Sequence, residues 1–337
     1  MLTSCAFVRF LKEWTLPVAI AVGTASYLLF WFVPALDAAG TAMAPVFDFL
    51  LPLFVFLTLF ITFCKVDFHQ MLPHRWHVGV LVAQLLLVAA VTALCWWAGA
   101  DPQDVPSLNG DLQSPTPFYK LLLEALLTCI IGPSAAAAPV VVGKLGGNIS
   151  TMTTYTLLSA FVSALLIPLV FPLLEQTVHA DFLSAFLIIL YKVALVLLLP
   201  LGLGWLVQHH VPALARRIAS MPNLSFYTWS VSLAITTGIT VKNIVHSEAT
   251  VILLTAIAIT TLLLCVVQFV IGRAIGLKLG EEINAGQALF QKNTGLSIWV
   301  SYMYLSPVAS IGAGCYVLWQ NIINSFEIWE AEKGRKP

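Results

Sequence analysis

The chain has 337 residues, of which 59% are hydrophobic and only 9% charged, and its formal net charge is zero. A soluble domain of that composition would expose far more apolar surface than water tolerates, so the expected fold class is an all-α polytopic membrane protein embedded in a lipid bilayer. No polar stretch is long enough for a separate soluble domain. The zero net charge argues against nucleic acid as a partner.

About twenty mostly apolar residues are needed to cross a bilayer. Ten such segments are predicted, near residues 15-34, 45-63, 78-99, 119-142, 150-173, 183-207, 225-243, 250-272, 284-304 and 307-327. The first follows Arg9, Lys12 and Glu13. It is too long for a signal peptide's apolar core and lacks a small-residue cleavage site, so it is read as a retained helix. The six cysteines (Cys5, Cys64, Cys95, Cys129, Cys265, Cys315) lie in or beside apolar spans with no paired spacing. They are read as small buried hydrophobes, forming neither a disulfide frame nor a zinc site. The seven histidines (His69, His74, His77, His179, His209, His210, His246) all fall in predicted loops. Trp14, Trp76, Trp96, Trp97 and Trp329 fall at segment ends, where amphipathic rings prefer the membrane interface.

Lysine and arginine in short loops set the orientation. With both termini cytoplasmic, that side carries Arg9, Lys12, Lys65, Arg75, Lys144, Arg216, Arg217, Arg273, Lys278, Lys333, Arg335 and Lys336. The other side carries Lys120 and Lys242 and is otherwise acidic, with Asp37, Asp101, Asp104, Asp111, Glu175, Asp181 and Glu248. The expected location is the inner (plasma) membrane, crossed an even number of times.

The fourth and ninth segments differ from the rest. In the fourth, Pro133 and Pro139 each remove an amide donor and crowd the preceding turn. The four alanines between them, Ala135 to Ala138, let another backbone approach closely. The ninth holds Lys292 in the run from Asn284 to Leu296, among Gly, Gln, Asn and Thr. A lysine at the centre of a span costs several kcal/mol and normally faces a cavity or a partner. Unwound backbone is tolerated there only where it is buried in protein or lines a wet interior. The two interruptions occupy equivalent places in two halves of five spans, residues 1-175 and 180-330, within a single domain of 1-337. An odd number of spans per half makes the second half inverted. Matched interruptions of this kind mark substrate and ion sites in secondary transporters.

Several motifs in order resemble the bile acid:sodium symporter family, here in a bacterial member of its wider superfamily. Leu53 to Phe60 and Lys65 to Phe68 look like the family's second span and the polar entry to a short helix. Leu81-Val-Ala-Gln84 is similar to the third span. Gly132-Pro133 through Gly146-Gly-Asn148, with Thr156, Ser159 and Pro168, track the fourth and fifth spans. Gln291-Lys-Asn-Thr-Gly-Leu296 looks like the ninth-span motif Gln-Asn-Ser-Gly-Leu. The resemblance implies ten transmembrane helices in two inverted five-helix repeats, a panel and a core domain, and broken helices 4 and 9 that cross at mid-membrane. It also implies an organic anion as substrate and sodium as the usual coupling ion.

The departures bear on the ion. Where the family has Ser-Asn after the fourth-helix break, this chain has Ala138-Pro139. The family's ninth-helix glutamate falls on Ala288, and the glutamine beside the break on Lys292. The first fifth-helix hydroxyl falls on Met152, while Thr156 and Gln84 match. Hard cations need oxygen ligands, so no tight Na+ binding is expected at the family positions and no metal or cofactor is assigned. The arsenite-exporter branch places a cysteine after the fourth-helix proline, where this chain has Ser134, and is disfavoured.

The expected function is secondary transport of a small or amphipathic organic anion by alternating access, with Lys292 in place of the cation. The ammonium either attracts the anion or carries a coupling proton (H+). The bland alternative is a lysine that snorkels or pins unwound backbone. Gln291, Asn293, Thr294, Gln84, Thr156, Pro139 and Ser134 complete the expected site. Sodium-coupled uptake through a site rebuilt around Gln84 and Thr156, and a non-transporting sensor or scaffold, are the alternatives. No phosphate-binding loop and no nucleophile–base motif is present, so neither ATP-driven transport nor enzymatic activity is expected.

Overall fold

The structure, a computed structural model, describes residues 14–65, 72–99, 118–174, 182–221, 223–247 and 249–334. Several of the charges that set the orientation lie outside them, among them Arg9, Lys12, Asp101, Asp104, Asp111, Glu175, Asp181, Glu248, Arg335 and Lys336. Among the described residues every regular element is a helix. In chain order these are α1 (Thr15–Phe32), a 3-10 turn (Pro34–Leu36), α2 (Asp37–Lys65), α3 (Arg75–Gly99), α4 (Phe118–Ile131), α5 (Ala138–Leu145) and α6 (Ile149–Leu174). There follow α7 (Phe182–His210), α8 (Pro212–Ala219), α9 (Leu224–Val245), α10 (Val251–Leu279), α11 (Glu282–Phe290), α12 (Thr294–Tyr304) and α13 (Pro307–Gly334).

Among the described residues, five helices are long and apolar enough to cross a membrane: Thr15–Phe32, Arg75–Ala98, Ile149–Leu174, Leu224–Val245 and Val251–Leu279. The segments expected at 119-142 and 284-304 are each two helices with a non-helical stretch between them. The second segment starts earlier than expected, at Asp37. Helix α8 was not anticipated from hydropathy, because it is short and polar. Pro212 starts it, with a fixed φ and no amide to lose. Its Ile218 packs against Ile61 and Cys64 of α2.

His77, and His209 and His210 in the last turn of α7, correct the expectation that the histidines are all in loops. His77 lies in the first turn of α3 with 0% exposure. Its Nδ1 accepts from the His74 amide at 3.0 Å, so Nε2 is the protonated nitrogen and donates to the Thr151 carbonyl at 3.0 Å. The ring thus ties the entry of α3 to α6. Cys64, Cys95, Cys129, Cys265 and Cys315 are buried free thiols, as expected. Buried Glu124 meets Lys120 one turn away, at 3.6 Å.

The helices pack in two groups. Helices α1, α2, α7, α8 and α9 form one, and α3–α6 with α10–α13 form the other. The groups meet chiefly where α9 lies on α13 and where α6 lies on α7. Small residues set the closest approaches in the larger group. A Cβ at Gly312 of α13 would collide with the Ala125 main chain of α4. One at Gly272 of α10 would lie 3.0 Å from the Gly286 Cα of α11. In a bilayer, where helix association gains little from the hydrophobic effect, such backbone contact is the main source of packing energy.

Candidate functional site

The chain breaks where prolines and glycines deny it a helix. Gly132 and Pro133 end α4, and Pro139 sits in the first turn of α5. Breaking a helix frees main-chain donors and acceptors, and in a membrane each must find a partner inside the protein. Here the two broken segments satisfy each other. Ser134 and Lys292 pair as an antiparallel bridge. The Ala135 amide donates to the Gln291 carbonyl at 3.0 Å, and the Asn293 amide donates to the Pro133 carbonyl at 2.8 Å. The interrupted fourth and ninth segments therefore cross at these residues.

Side chains absorb the remaining open ends. The Gln84 amide of α3 donates to the Ile130 and Gly132 carbonyls, both at 3.1 Å. Ser163 donates to the Ile131 carbonyl at 2.9 Å. On the other segment, Tyr316 donates to the Phe290 carbonyl at 2.7 Å. Gln320 of α13 grips both faces of the Lys292 peptide. It accepts from the Lys292 amide at 2.9 Å and donates to the Lys292 carbonyl at 3.2 Å. Asn293 caps α12 by accepting from the Leu296 amide at 3.2 Å.

Two further chains of polar contacts leave the crossing. The Ser134 amide donates to the Ser159 hydroxyl at 3.0 Å, which donates to the Thr156 carbonyl at 2.9 Å. The Thr156 hydroxyl itself donates back to the Met152 carbonyl at 3.0 Å. Gln291 donates to Asn324 at 3.1 Å and to Gln287, and Gln287 donates to Glu327 at 2.5 Å. Glu327 is paired with Arg273, which also reaches Glu282 at 3.2 Å. A ladder of amides thus joins the crossing to an ion cluster shared by α10, α11 and α13.

Lys292 is 1% exposed. Its Nζ has no hydrogen-bond partner and forms no ion pair among the described residues. Beside the crossing is a cavity of ≈ 40 Å³ between the two helix groups. From the larger group it is lined by Ala135, Ala136 and Ala137, which lead into α5, by Lys292, by Asn293, Thr294 and Gly295 at the start of α12, and by Gln320 and Val317 of α13. From the smaller group come Val55 and Thr58 of α2 and Trp229, Ser232, Leu233 and Thr236 of α9. The residues leading into α5 and the first turn of α12 border this space. The helix dipoles there favour negative charge, as does the ammonium.

The expected site residues therefore separate into two sets. Lys292, Asn293 and Thr294 line the cavity. Ser134 and Gln291 belong to the crossing itself, and Pro139 opens α5 just behind the alanines. Gln84 and Thr156 are engaged in holding backbone on the far side of the crossing. Thr58, Ser232, Thr236 and Gln320 were missed. The i, i+4 spacing of Ser232 and Thr236, and three amides (Gln320, Asn321, Asn324) inside an apolar span, were the available signals.

No family model matches this chain, and no curated protein matches it.

Proposed function

We propose that this chain is a secondary transporter of the bile acid:sodium symporter superfamily, with an organic anion as its substrate. In this reading ten transmembrane helices form two inverted repeats and both termini are cytoplasmic. The observation that carries it is the unpaired, buried Lys292, on a main-chain crossing of two broken helices that borders a cavity. An isolated buried ammonium is costly unless a counter-charge arrives or a proton leaves. A transported anion or a coupling proton supplies one or the other. The two helix groups meeting at the cavity are the panel and core of the proposed cycle, and rigid motion of one against the other would expose the site alternately.

Among the described residues, the cavity lining contains no carboxylate. A sodium ion there would have neutral oxygens only, beside a positive charge, so anion binding is the better fit. The test is uptake into proteoliposomes by the wild type and by Lys292→Ala and Lys292→Gln. Loss of uptake or of its pH dependence is expected. Full activity with unchanged pH dependence in both variants would refute the assigned role. Uptake that requires sodium would restore the family's usual coupling, and no uptake or binding of any anion would favour a sensor or scaffold.

A further inference from the structure

We infer that the anion is a short, hydroxylated carboxylate, recognised by a pair of hydroxyls on α9, rather than an amphipathic acid. The inference rests on the cavity beside Lys292 being the transport site.

Hydroxyls in apolar helices ordinarily satisfy themselves by donating to the carbonyl one turn back. In α9, Thr228, Ser230, Thr237 and Thr240 do so, at 3.1, 2.8, 2.8 and 2.9 Å. The hydroxyls of Ser232 and Thr236 make no hydrogen bond to any described residue, and both residues line the cavity. They are 6% and 3% exposed and, four residues apart, lie on one face. Across the space the Thr294 hydroxyl, 5% exposed, is equally unengaged. The Asn293 Oδ1 is already used in capping α12, which leaves its amide nitrogen to donate. None of the Ser232, Thr236 and Thr294 hydroxyl oxygens is among the sealed, unpartnered polar atoms of the structure, so each is open to the cavity that it lines. That three unengaged hydroxyls open on the same cavity, which Lys292 also lines, points to a polar ligand that completes them.

Size and chemistry then narrow the ligand. Seating one water takes roughly 10–15 Å³ of such space, so the ≈ 40 Å³ present suits a group of a few heavy atoms, and a steroid nucleus would require the two helix groups to part. The positive charge of Lys292, which lines the cavity, fits a carboxylate. The α9 hydroxyls, each able to donate and accept, fit a ligand hydroxyl, which also does both.

The experiment is the thermal melting midpoint of the purified full chain, without sodium, titrated with glycerate, lactate, propionate, decanoate and cholate. Ligands of the folded state raise the midpoint by mass action. Lactate and glycerate are expected to bind up to roughly tenfold more tightly than propionate, the size expected of one net hydrogen bond. Ser232→Ala/Thr236→Val should abolish that preference, bringing lactate and glycerate down to the response of propionate. Lys292→Gln should remove the response to all three short acids. Equal responses to lactate and propionate in the wild type would overturn the inference without any variant. A response to decanoate or cholate alone, lost in Lys292→Gln, would overturn it and leave the transport-site reading standing. Stabilisation by sodium alone, or by no acid, would overturn both.

Discussion

Replacing Lys292 by methionine tests how the crossing stores free energy. Methionine keeps the unbranched stem and removes the ammonium, so packing around the 1%-exposed side chain is largely conserved. What changes is the burial of Nζ, which has no partner among the described residues. Mutational data set the cost of burying a polar group without a hydrogen bond at roughly 1–3 kcal/mol. Relief of that cost makes Lys292→Met more stable than the wild type in the absence of ligand. With the entropy of unfolding scaled to chain length, the gain corresponds to a rise of roughly 1–4 °C in the melting midpoint. The assay is a fluorescence melt in detergent, with monodispersity checked by gel filtration. The same variant should show no further rise with a short organic anion. A drop of several degrees would refute the reasoning, because it would mean that the ammonium is held by bonds that stabilise the ground state. A functional group kept at a cost to stability is the trade expected of a working site.

Gln84→Leu leaves the Ile130 and Gly132 carbonyls without their donor. A loss of about 1–3 kcal/mol, read as a lower melting midpoint, is expected, and an unchanged midpoint would show that other groups take over the cap. Arg273→Ala strips Glu327, whose side chain is 15% exposed, of its cation. Because Arg273 itself is 37% exposed, the expected loss is discounted to about 1–2 kcal/mol. In a double-mutant cycle, Glu327→Gln should recover part of it; strictly additive effects would show that the pair is not coupled.

Much of the helical layout was legible because lipid imposes a simple rule of length and apolarity. The two interruptions were legible for a different reason. Pro133, Pro139 and the polar run around Lys292 violate helix chemistry where an uninterrupted span would have none. Residues whose role depends on a partner far along the chain were not legible. Gln320 grips the Lys292 peptide 28 residues away, and Gln84 reaches carbonyls 46 and 48 residues away. Nothing local distinguishes either from an ordinary interhelical amide. Ser232 and Thr236 were hidden because serine and threonine are common in membrane helices, where most of them bond back to their own helix. Only the carbonyl each one declines reveals it. Helix α8 escaped because eight residues with Arg216 and Arg217 carry too little apolar length to register as a span.

The crossing is joined by amide and carbonyl groups of Ala135, Gln291, Asn293 and Pro133, not by side chains. Any residue except proline presents the same amide, so substitutions at these positions exchange chemical groups without untying the knot. Side chains at the crossing can therefore be exchanged while the two broken helices stay in register. Invention at the centre of this fold is inexpensive because the scaffold there is written in the backbone.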